Sequence, residues 1–391
     1  MTAGDASSRH ERRFPPAIVG LTLAAAMLAI VLLATGGRSG WRLRAAGSDS
    51  RAGAAPGRAA TAKANPPPLP LARAVGQLII ATYADTTPPH SILAAVRAGR
   101  TGAIILMGDN TAGGVAGTRA AVNALQAAAR AGNNPPLLIM TDQEGGEVKR
   151  LPGPPDYAAA QMSNPRLAYS QGVATGRLLR RAGVNLDLAP VADVSRIDGF
   201  MTREQRTFGS RAAGVARAAC SFARGLERVG IGYNLQLYPG LGDALHSTDF
   251  EPVHITEPAA EVRADDAAYR ACGDQPRASV MVDSASYAHI TGYAPAVLAP
   301  IIYHRWLPSD GFHGLTMSDS FESGAIKHVF EPALRAIDAG DDMVMYPGAE
   351  SASAAAYRTL LADARLRTLP ANRLAAAAGA VLAYKRALGL T

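Results

Sequence analysis

Acidic side chains follow several separate apolar segments of this sequence, each at the point where a segment ends. Examples are Asp142, Asp193, Asp283 and Asp319. If the apolar segments are parallel strands that end at one rim, the carboxylates that follow them converge there. Carboxylates accept hydrogen bonds from hydroxyl groups and stabilise nearby positive charge. This pattern therefore suits a ligand rich in hydroxyl groups and a reaction that develops positive charge.

The elements that would position these acids are eight short apolar runs rich in Ile, Val, Leu and Met: 77–81, 103–107, 137–141, 185–188, 233–238, 279–282, 315–317 and 343–346. Continuous apolar runs are typical of parallel strands that are covered on both faces. Segments with helical periodicity lie between them, for example 118–130 and 212–229. Eight strand–helix repeats predict an α/β fold, a (β/α)8 TIM-type barrel in a single domain. A doubly wound open sheet is the alternative, and the lack of G-x-G-x-x-G after the first run disfavours it.

The first 36 residues contain an unbroken apolar run, 17–35, preceded by two arginines. At about 1.5 Å per residue, a helix of this length crosses a hydrocarbon core of about 30 Å. We therefore predict a transmembrane signal anchor, with a cleaved signal peptide as the alternative. Residues 37–75, rich in Ala, Gly, Arg and Pro, are expected to form a flexible linker before a barrel at 76–391. The barrel would lie outside the cytoplasm at the cell membrane, or be secreted if the segment is cleaved.

The formal charge of +7 is confined to the start of the chain. Residues 1–73 contain ten Lys or Arg and three acidic residues, and the two kinds of charge are equal in number beyond them. A neutral folded part has no basic surface for DNA or RNA, so we expect no nucleic-acid partner. The basic segment instead suits the surface of an anionic membrane.

The two cysteines, Cys220 and Cys272, show neither the C-x-x-C spacing nor the neighbouring histidines of a zinc site. We expect neither a metal ion nor another cofactor. Two separate buried thiols are the expected state of these cysteines. A disulfide between them is the alternative if the barrel lies in an oxidising compartment.

Five motifs occur in the order in which family 3 glycoside hydrolases carry them: DQEGGEVKRL at 142–151, GVNLDLAPVADV at 183–194, RTFG at 206–209, MSD at 317–319 and AGDDM at 339–343. From about residue 75 to residue 390 the chain resembles this family, and especially its single-domain β-N-acetylhexosaminidases. The resemblance implies a retaining glycosidase that forms a covalent glycosyl-enzyme intermediate.

By this resemblance Asp319 is the nucleophile, and Asp142 and Arg206 hold sugar hydroxyl groups. A carboxylate can attack an anomeric carbon and stabilise an oxocarbenium-like transition state, and a guanidinium offers a fixed fork of donors. Structural roles are the alternatives for each residue. Asp319 could cap the next helix, Asp142 could belong to a turn, and Arg206 could form an ion pair with Glu204 or Asp193.

Other positions depart from the family pattern. Where the family has K-H-F-P-G-H-G-D, residues 236–243 read QLYPGLGD, so Gln236 and Leu237 replace the Lys and His that bind sugar. The part of the site that holds the nucleophile is therefore intact, whereas the part that binds the sugar differs from the family pattern.

The charged residues at 147–150 are expected to form a solvated surface.

The family's Asp–His acid/base pair is also replaced, by a loop in which His246 precedes Asp249. We predict that His246, oriented by Asp249, is the general acid/base, because a turn could bring residues three apart into contact. Asp283 and Glu322 are the alternative proton donors. Gln236 and Asp283 are further candidates for contact with the substrate.

Three functions are consistent with these residues. The first is a glycosidase that acts on β-linked sugars, such as N-acetylglucosamine-containing cell-wall glycans, and the second is a glycosidase with altered sugar preference. The third is a catalytically impaired barrel that binds envelope glycan. The intact nucleophile side favours an enzyme, and the missing Lys–His pair favours a binding barrel. In each case we expect a carbohydrate partner and a monomeric protein.

Overall fold

Eight short parallel strands pair side by side in the computed structural model, which describes residues 69–390. The strands are β1 (Ile79–Ala81), β2 (Ala103–Ile105), β3 (Leu138–Thr141), β4 (Leu186–Asp187), β5 (Gly232–Tyr238), β6 (Ala278–Val282), β7 (Leu315–Ser318) and β8 (Val344–Met345). From β1 to β7, strands that are consecutive in the chain are neighbours in space, and β8 pairs with β1. Each of the eight predicted apolar runs overlaps one strand, so the predicted α/β fold and TIM-type barrel are confirmed.

The helices surround these strands: α1 (Leu71–Gln77), α2 (His90–Arg97), α3 (Gly108–Thr111), α4 (Gly114–Ala131), α5 (Pro165–Ala182), α6 (Phe200–Arg203), α7 (Ala212–Arg228), α8 (Ala259–Asp265), α9 (Ala267–Cys272), α10 (Leu307–Ser309), α11 (Pro332–Ala339), α12 (Glu350–Leu366) and α13 (Ala371–Ala387). Both predicted helical segments are helical, within α4 and α7. Because helices cover the outside, the strands are buried on both faces, which explains their continuous apolar sequence.

Helix α5 shows how local sequence sets the bounds of an element. The side chain of Asn164 accepts a hydrogen bond from the main-chain N–H of Arg166 (2.9 Å), and Pro165 occupies the first helical turn. The helix ends at Gly183, whose φ of 87° lies in the left-handed region. Glycine adopts this conformation without steric cost, so the chain can turn directly into β4.

Side chains as well as main chain close the barrel between β7 and β8. The main-chain N–H of Ser318 donates to the carbonyl of Met343 (2.9 Å), and Ser318 Oγ accepts from the N–H of Met345 (2.9 Å). The N–H of Asp342 donates to Thr316 Oγ (3.1 Å). These contacts hold the end of β7, so they also hold the acid that follows it.

Helix α1 belongs to the barrel unit, although it begins before the boundary predicted at residue 76. Val75 is fully buried, and Arg73 donates to main-chain carbonyls beyond α4. Lys385 Nζ, buried in α13, donates to Gln77 Oε1 (2.7 Å) and to the carbonyl of Gly102 (2.8 Å). Burial lowers the pKa of Lys385 to about 7. The last residues of the expected linker are therefore a packed helix.

The two cysteines form a disulfide between α7 and α9. Cys220 and Cys272 lie with their Cα atoms 5.7 Å apart, within the range of bonded cysteines. The expectation of two separate buried thiols is therefore wrong. The spacing of the two residues could not reveal the bond, because it depends on how α7 and α9 pack against each other.

The predicted transmembrane run at 17–35 and the linker up to residue 68 lie outside the described residues. Within residues 69–390, no helix is both long and apolar enough to cross a membrane.

Removal of α1 should destabilise the barrel. A protein that begins at Leu69 keeps the buried Val75 and the Gln77–Lys385 hydrogen bond, whereas one that begins at Leu78 loses both. We expect the shorter protein to melt at least about 5 °C lower, given the apolar burial lost and the size of the domain. Thermal unfolding followed by circular dichroism measures this difference. Equal melting temperatures would show that α1 is dispensable.

Candidate active site

An open cleft lies at the carboxyl ends of the strands, where a parallel barrel presents the residues that follow each strand. The described residues that line it are Ile105, Met107, Asp142, Val148, Arg150, Phe200, Glu204, Arg206, Gln236, Leu237, Leu241, Ser247, Thr248, Asp249, Met281, Asp319, Ser320, Met345 and Pro347. Five of the predicted site residues therefore meet here: Asp142, Arg206, Gln236, Asp249 and Asp319.

Asp319 directly follows β7. Its main-chain N–H donates to the carbonyl of Val282 (3.0 Å), and its Oδ1 accepts from the N–H of Ser320 (2.7 Å). Burial, and then the negative charge of Asp249, raise the pKa of the Asp319 carboxyl group to about 7. The Ser320 N–H and Arg206 act in the opposite direction. At neutral pH a carboxyl group with this pKa is therefore divided between its acid and its anion.

Asp142 is held by an arginine that returns to it across a tight hairpin. Arg150 donates to Asp142 Oδ2 through Nη2 (2.9 Å) and Nε (3.3 Å). The turn between them contains Gly145 and Gly146, with φ of 108° and 60°. A Cβ atom on Gly145 would lie 2.2 Å from the carbonyl oxygen of Tyr157, so this turn requires glycine. Arg150 thus lines the cleft, and the expectation that the charges at 147–150 form a solvated surface is wrong for it.

Arg206 forms a two-pronged ion pair with Glu144. Its Nε and Nη2 atoms lie 2.9 Å and 2.8 Å from the two carboxylate oxygens of Glu144. Glu204, one of the two predicted alternatives, makes a longer contact of 3.5 Å, and Asp193 instead accepts from the N–H of Leu241. Burial raises the pKa of Glu144, and the charge of Arg206 opposes that shift. The pair holds the guanidinium plane in one orientation at the cleft wall.

Strand β5 replaces the family's two sugar-binding side chains with groups of different chemistry. The Nε2 atom of Gln236 donates to the carbonyl of Leu188, so this hydrogen bond is made within the barrel wall and not to a ligand. Leu237 is almost fully buried and lines the cleft beside it. This wall therefore offers one amide and an apolar surface where the family pattern has two cationic or polar groups.

His246 and Asp249 do not form the predicted pair. Asp249 lines the cleft, and its Oδ2 accepts from Ser247 Oγ (3.1 Å). The side chain of His246 is 70% exposed, and its Nδ1 lies 3.8 Å from a carboxylate oxygen of Glu251. The prediction that Asp249 orients His246 is therefore wrong, because the loop turns the two side chains to different partners.

The loop that carries Asp249 is tied to the segment that follows Asp319. The N–H of Gly324 donates to the carbonyl of Asp249 (2.7 Å), and the N–H of Ala325 donates to that of Thr248 (3.0 Å). A Cβ atom on Gly324 would lie 1.9 Å from the carbonyl oxygen of Phe250, so only glycine permits this approach. These contacts set the position of Asp249 relative to Asp319.

The two alternative proton donors lie outside the cleft. Asp283 has no exposed surface, and its carboxylate accepts from Tyr287 Oη and from the N–H of Ala285 (2.8 Å). Glu322 accepts from the N–H of Gly348 (2.6 Å) before α12. The predictions that Asp283 contacts substrate and that either acid donates the proton are corrected, because both carboxylates are occupied elsewhere. Within residues 69–390, no three His, Cys, Asp or Glu side chains are grouped to hold a metal ion.

The sequence interpretation missed Arg150 and Glu144 as parts of the site. Both belong to the first motif, on either side of its glycine pair. Consecutive glycines mark a turn, and residues on the two arms of a hairpin face each other. That signal could have assigned Arg150 to Asp142, but nothing in the spacing links Glu144 to Arg206.

The sequence pattern described as the glycosyl hydrolase family 3 N terminal domain matches residues 71–383. The chain belongs to glycoside hydrolase family 3. The motifs of this family 3 chain divide between two tasks. Asp142, Arg206 and Asp319 face the cleft, whereas Asp342 of the AGDDM motif holds the β7–β8 seam and accepts from Arg373 Nη2 (2.9 Å).

Proteins similar to this family 3 chain include glycosidases from bacteria and a fungus. A secreted glycosyl hydrolase of Arthroderma benhamiae is 30% identical over 296 residues, which cover 72% of this chain and 83% of that protein. Beta-hexosaminidase LpqI of Mycobacterium tuberculosis is 30% identical over 54% of this chain and 58% of its own length. The crystal structure of β-N-acetylhexosaminidase from Beutenbergia cavernae aligns with a TM-score of 0.73 and 31% identity, covering 81% of this chain and 99% of that one. The inferred family is confirmed, and with it the prediction of a glycosyl hydrolase of the β-hexosaminidase type.

The pH profile should report the ionisation of Asp319. Asp319 is the nucleophile predicted from the sequence, and a nucleophilic carboxyl group must be ionised. We therefore expect kcat/KM for an activated aryl glycoside to fall as the pH is lowered through about 7. Asp249→Asn removes a negative charge that raises this pKa, and should move the acidic limb to lower pH. Initial rates from pH 4 to pH 9 would measure the acidic limb of the profile for wild type and for Asp249→Asn. Identical acidic limbs in the two proteins would show that Asp249 does not raise the pKa of Asp319.

Proposed function

We propose that this family 3 chain is a retaining β-N-acetylhexosaminidase in which Asp319 is the nucleophile and Asp249 is the acid/base. The observation that carries the proposal is that these two carboxylates, from the loops after β7 and β5, line one cleft. Retaining glycosidases use two carboxyl groups on opposite sides of the scissile bond. The β-hexosaminidase relatives support an N-acetylglucosamine-containing substrate, such as a cell-wall glycan.

The reaction follows from the positions of the two acids. In the reactive form of the pair, Asp319 is the anion and Asp249 holds a proton. The Asp319 carboxylate attacks the anomeric carbon while Asp249 donates that proton to the departing glycosidic oxygen. This step leaves a glycosyl ester on Asp319 and a carboxylate on Asp249. Asp249 then takes a proton from water, which attacks the anomeric carbon and releases the sugar and the Asp319 carboxylate.

Two pre-formed ion pairs would bind the sugar. Asp142, held by Arg150, offers carboxylate oxygens to hydroxyl groups, and Arg206, held by Glu144, offers N–H donors. Because each partner is already fixed, little conformational entropy is lost on binding. Leu237 beside Gln236 makes this wall largely apolar, so Asp142 and Arg206 would supply the main polar contacts to the sugar.

A barrel that binds envelope glycan without turnover is the second candidate. The observation that favours it is the wall formed by Gln236 and Leu237, which lacks the family's cationic and imidazole groups. Such a protein would still use the Asp142 and Arg206 contacts. It would bind glycan with little sensitivity to substitution of Asp319 and would release no reducing sugar.

We further propose that the barrel acts outside the cytoplasm as a monomer, anchored by the apolar run at 17–35 or released by cleavage after it. The disulfide between Cys220 and Cys272 supports this location, because disulfides persist in oxidising compartments. The secreted relative from Arthroderma benhamiae supports it as well. The run is long enough to span a bilayer.

Substitution of the nucleophile separates the two candidates. Asp319→Asn should lower turnover at least about 10³-fold, because an amide cannot form the glycosyl ester. The folded-state pKa of Asp319 is raised, so its ionisation costs stability as the pH rises from about 4 to 7. The variant should therefore melt no lower than wild type at pH 8. Unchanged activity of the purified variant would remove Asp319 from this role.

Two variants of the same loop test the acid/base. Asp249→Ala should slow hydrolysis of poor leaving groups about 10²–10⁴-fold and activated aryl glycosides much less, since good leaving groups need little protonation. Azide should restore its second step, because this nucleophile needs no general base. His246→Ala is the matched control, and its activity should stay close to that of wild type. If His246→Ala showed the leaving-group effect and Asp249→Ala did not, the assignment would be reversed.

A further inference from the structure

Two exposed aromatic rings lie on the loops that follow β5 and β6. Phe250 is 81% exposed, and Tyr293, in the loop after β6, is 89% exposed. Large apolar side chains that stay in water can form part of a binding surface. Both rings lie on loops at the carboxyl ends of the strands, on the same end of the barrel as the cleft.

Phe250 is attached to a fixed segment of main chain. Its own N–H donates to the carbonyl of Ser247 (3.2 Å), and its carbonyl lies against Gly324, which leaves no room for a Cβ atom there. The Asp249 carbonyl beside it accepts from Gly324 (2.7 Å). The backbone under the ring is therefore held by the segment that follows Asp319, although the ring itself is in solvent.

Tyr293 is held by a second ring. It stacks on His254 with ring centres 4.8 Å apart and planes inclined by 13°. His254 is in turn fixed by a hydrogen bond between its Nδ1 and Ser286 Oγ (2.9 Å), and the strands His254–Ile255 and Ser286–Tyr287 pair in parallel. One face of Tyr293 is covered by His254, and the other face is free. This arrangement presents a flat aromatic surface without a need for reorganisation.

Phe250 and the stacked Tyr293–His254 pair lie on the loops after β5 and β6, which pair with each other at residues 254–255 and 286–287. The acid/base of a retaining glycosidase touches the glycosidic oxygen, so the residues beyond it lie beside the aglycone. Phe250 directly follows Asp249, and His254 is four residues further along. Four residues span at most about 14 Å, a distance that a short oligosaccharide covers.

We propose that Phe250 and the stacked pair of His254 and Tyr293 form binding subsites for a carbohydrate aglycone. The proposal rests on the assignment of Asp249 as acid/base. One face of a β-linked pyranose exposes C–H groups, which pack on the electron-rich face of an aromatic ring. The protein then prefers substrates whose leaving group is itself a glycan chain. The carboxylates of Asp249 and Glu251 flank Phe250 and disfavour an anionic membrane as the occupant of this surface.

The test compares short and long leaving groups in the full-length protein. We expect Phe250→Ala and Tyr293→Ala each to lower kcat/KM roughly three- to tenfold for β-1,4-linked N-acetylglucosamine tetramers. Aryl glycosides should lose less activity than the tetramer, because their leaving group is a single small ring. Tyr169→Ala, which removes an exposed ring from α5 on the outside of the barrel, is the matched control and should change neither substrate.

A binding measurement separates this proposal from the proposed function. In the Asp319→Asn background, calorimetry should show weaker binding of the tetramer after Phe250→Ala, and binding retained after Phe250→Trp. If wild type turned over no glycoside but this loss of affinity appeared, the hydrolase would fail, and the rings would stand as a glycan-binding surface without an aglycone role. Unchanged tetramer affinity and unchanged kcat/KM in both alanine variants would overturn the subsites. Loss of vesicle binding in these variants, with tetramer binding intact, would overturn them in favour of a membrane surface.

Discussion

The carboxyl groups of Asp142, Glu144 and Asp319 lie just beyond the ends of parallel strands, and the packing that aligns them also shields them from water. Burial raises the pKa of Asp319 to about 7 and raises that of Glu144 as well. Charged groups in such a place need partners, and Arg206 and Arg150 supply them to Glu144 and Asp142. Asp319 has no arginine hydrogen bond, and the charge of Asp249 raises its pKa further. The proposed nucleophile is therefore less compensated by positive charge than Glu144 and Asp142.

The loops around this cleft are positioned mainly by main-chain hydrogen bonds. The loop after β5 is bonded to the segment after β7 at Gly324, which has no space for a side chain. Asp249 consequently keeps its place beside Asp319 although its own side chain is exposed. The same contact holds Phe250, so one glycine sets the position of both the proposed proton donor and the first ring of the proposed aglycone surface.

The family motifs serve structure as much as chemistry. Asp342 links β7 to β8 through Thr316, and its carboxylate accepts a hydrogen bond from Arg373. The turn at Gly145 and Gly146 brings Arg150 into contact with Asp142. The segment that departs from the family, 236–243, changes the wall that would contact the sugar and leaves the barrel intact. The fold therefore tolerates a rewritten sugar-binding side because its strands are held by their burial and by the β7–β8 seam.

The amino-acid sequence alone determined the eight strands, the barrel and the family, because continuous apolar runs and glycine turns are local patterns that barrel packing preserves. It also identified Asp142, Arg206 and Asp319 as residues that meet at one cleft. Only the tertiary structure decided which acidic and basic side chains contact each other. His246 lies near Glu251 and Asp249 faces Asp319, because a spacing of three residues in a loop allows several paths. Likewise the Cys220–Cys272 bond depends on two helices meeting, which is a long-range contact that local sequence does not encode.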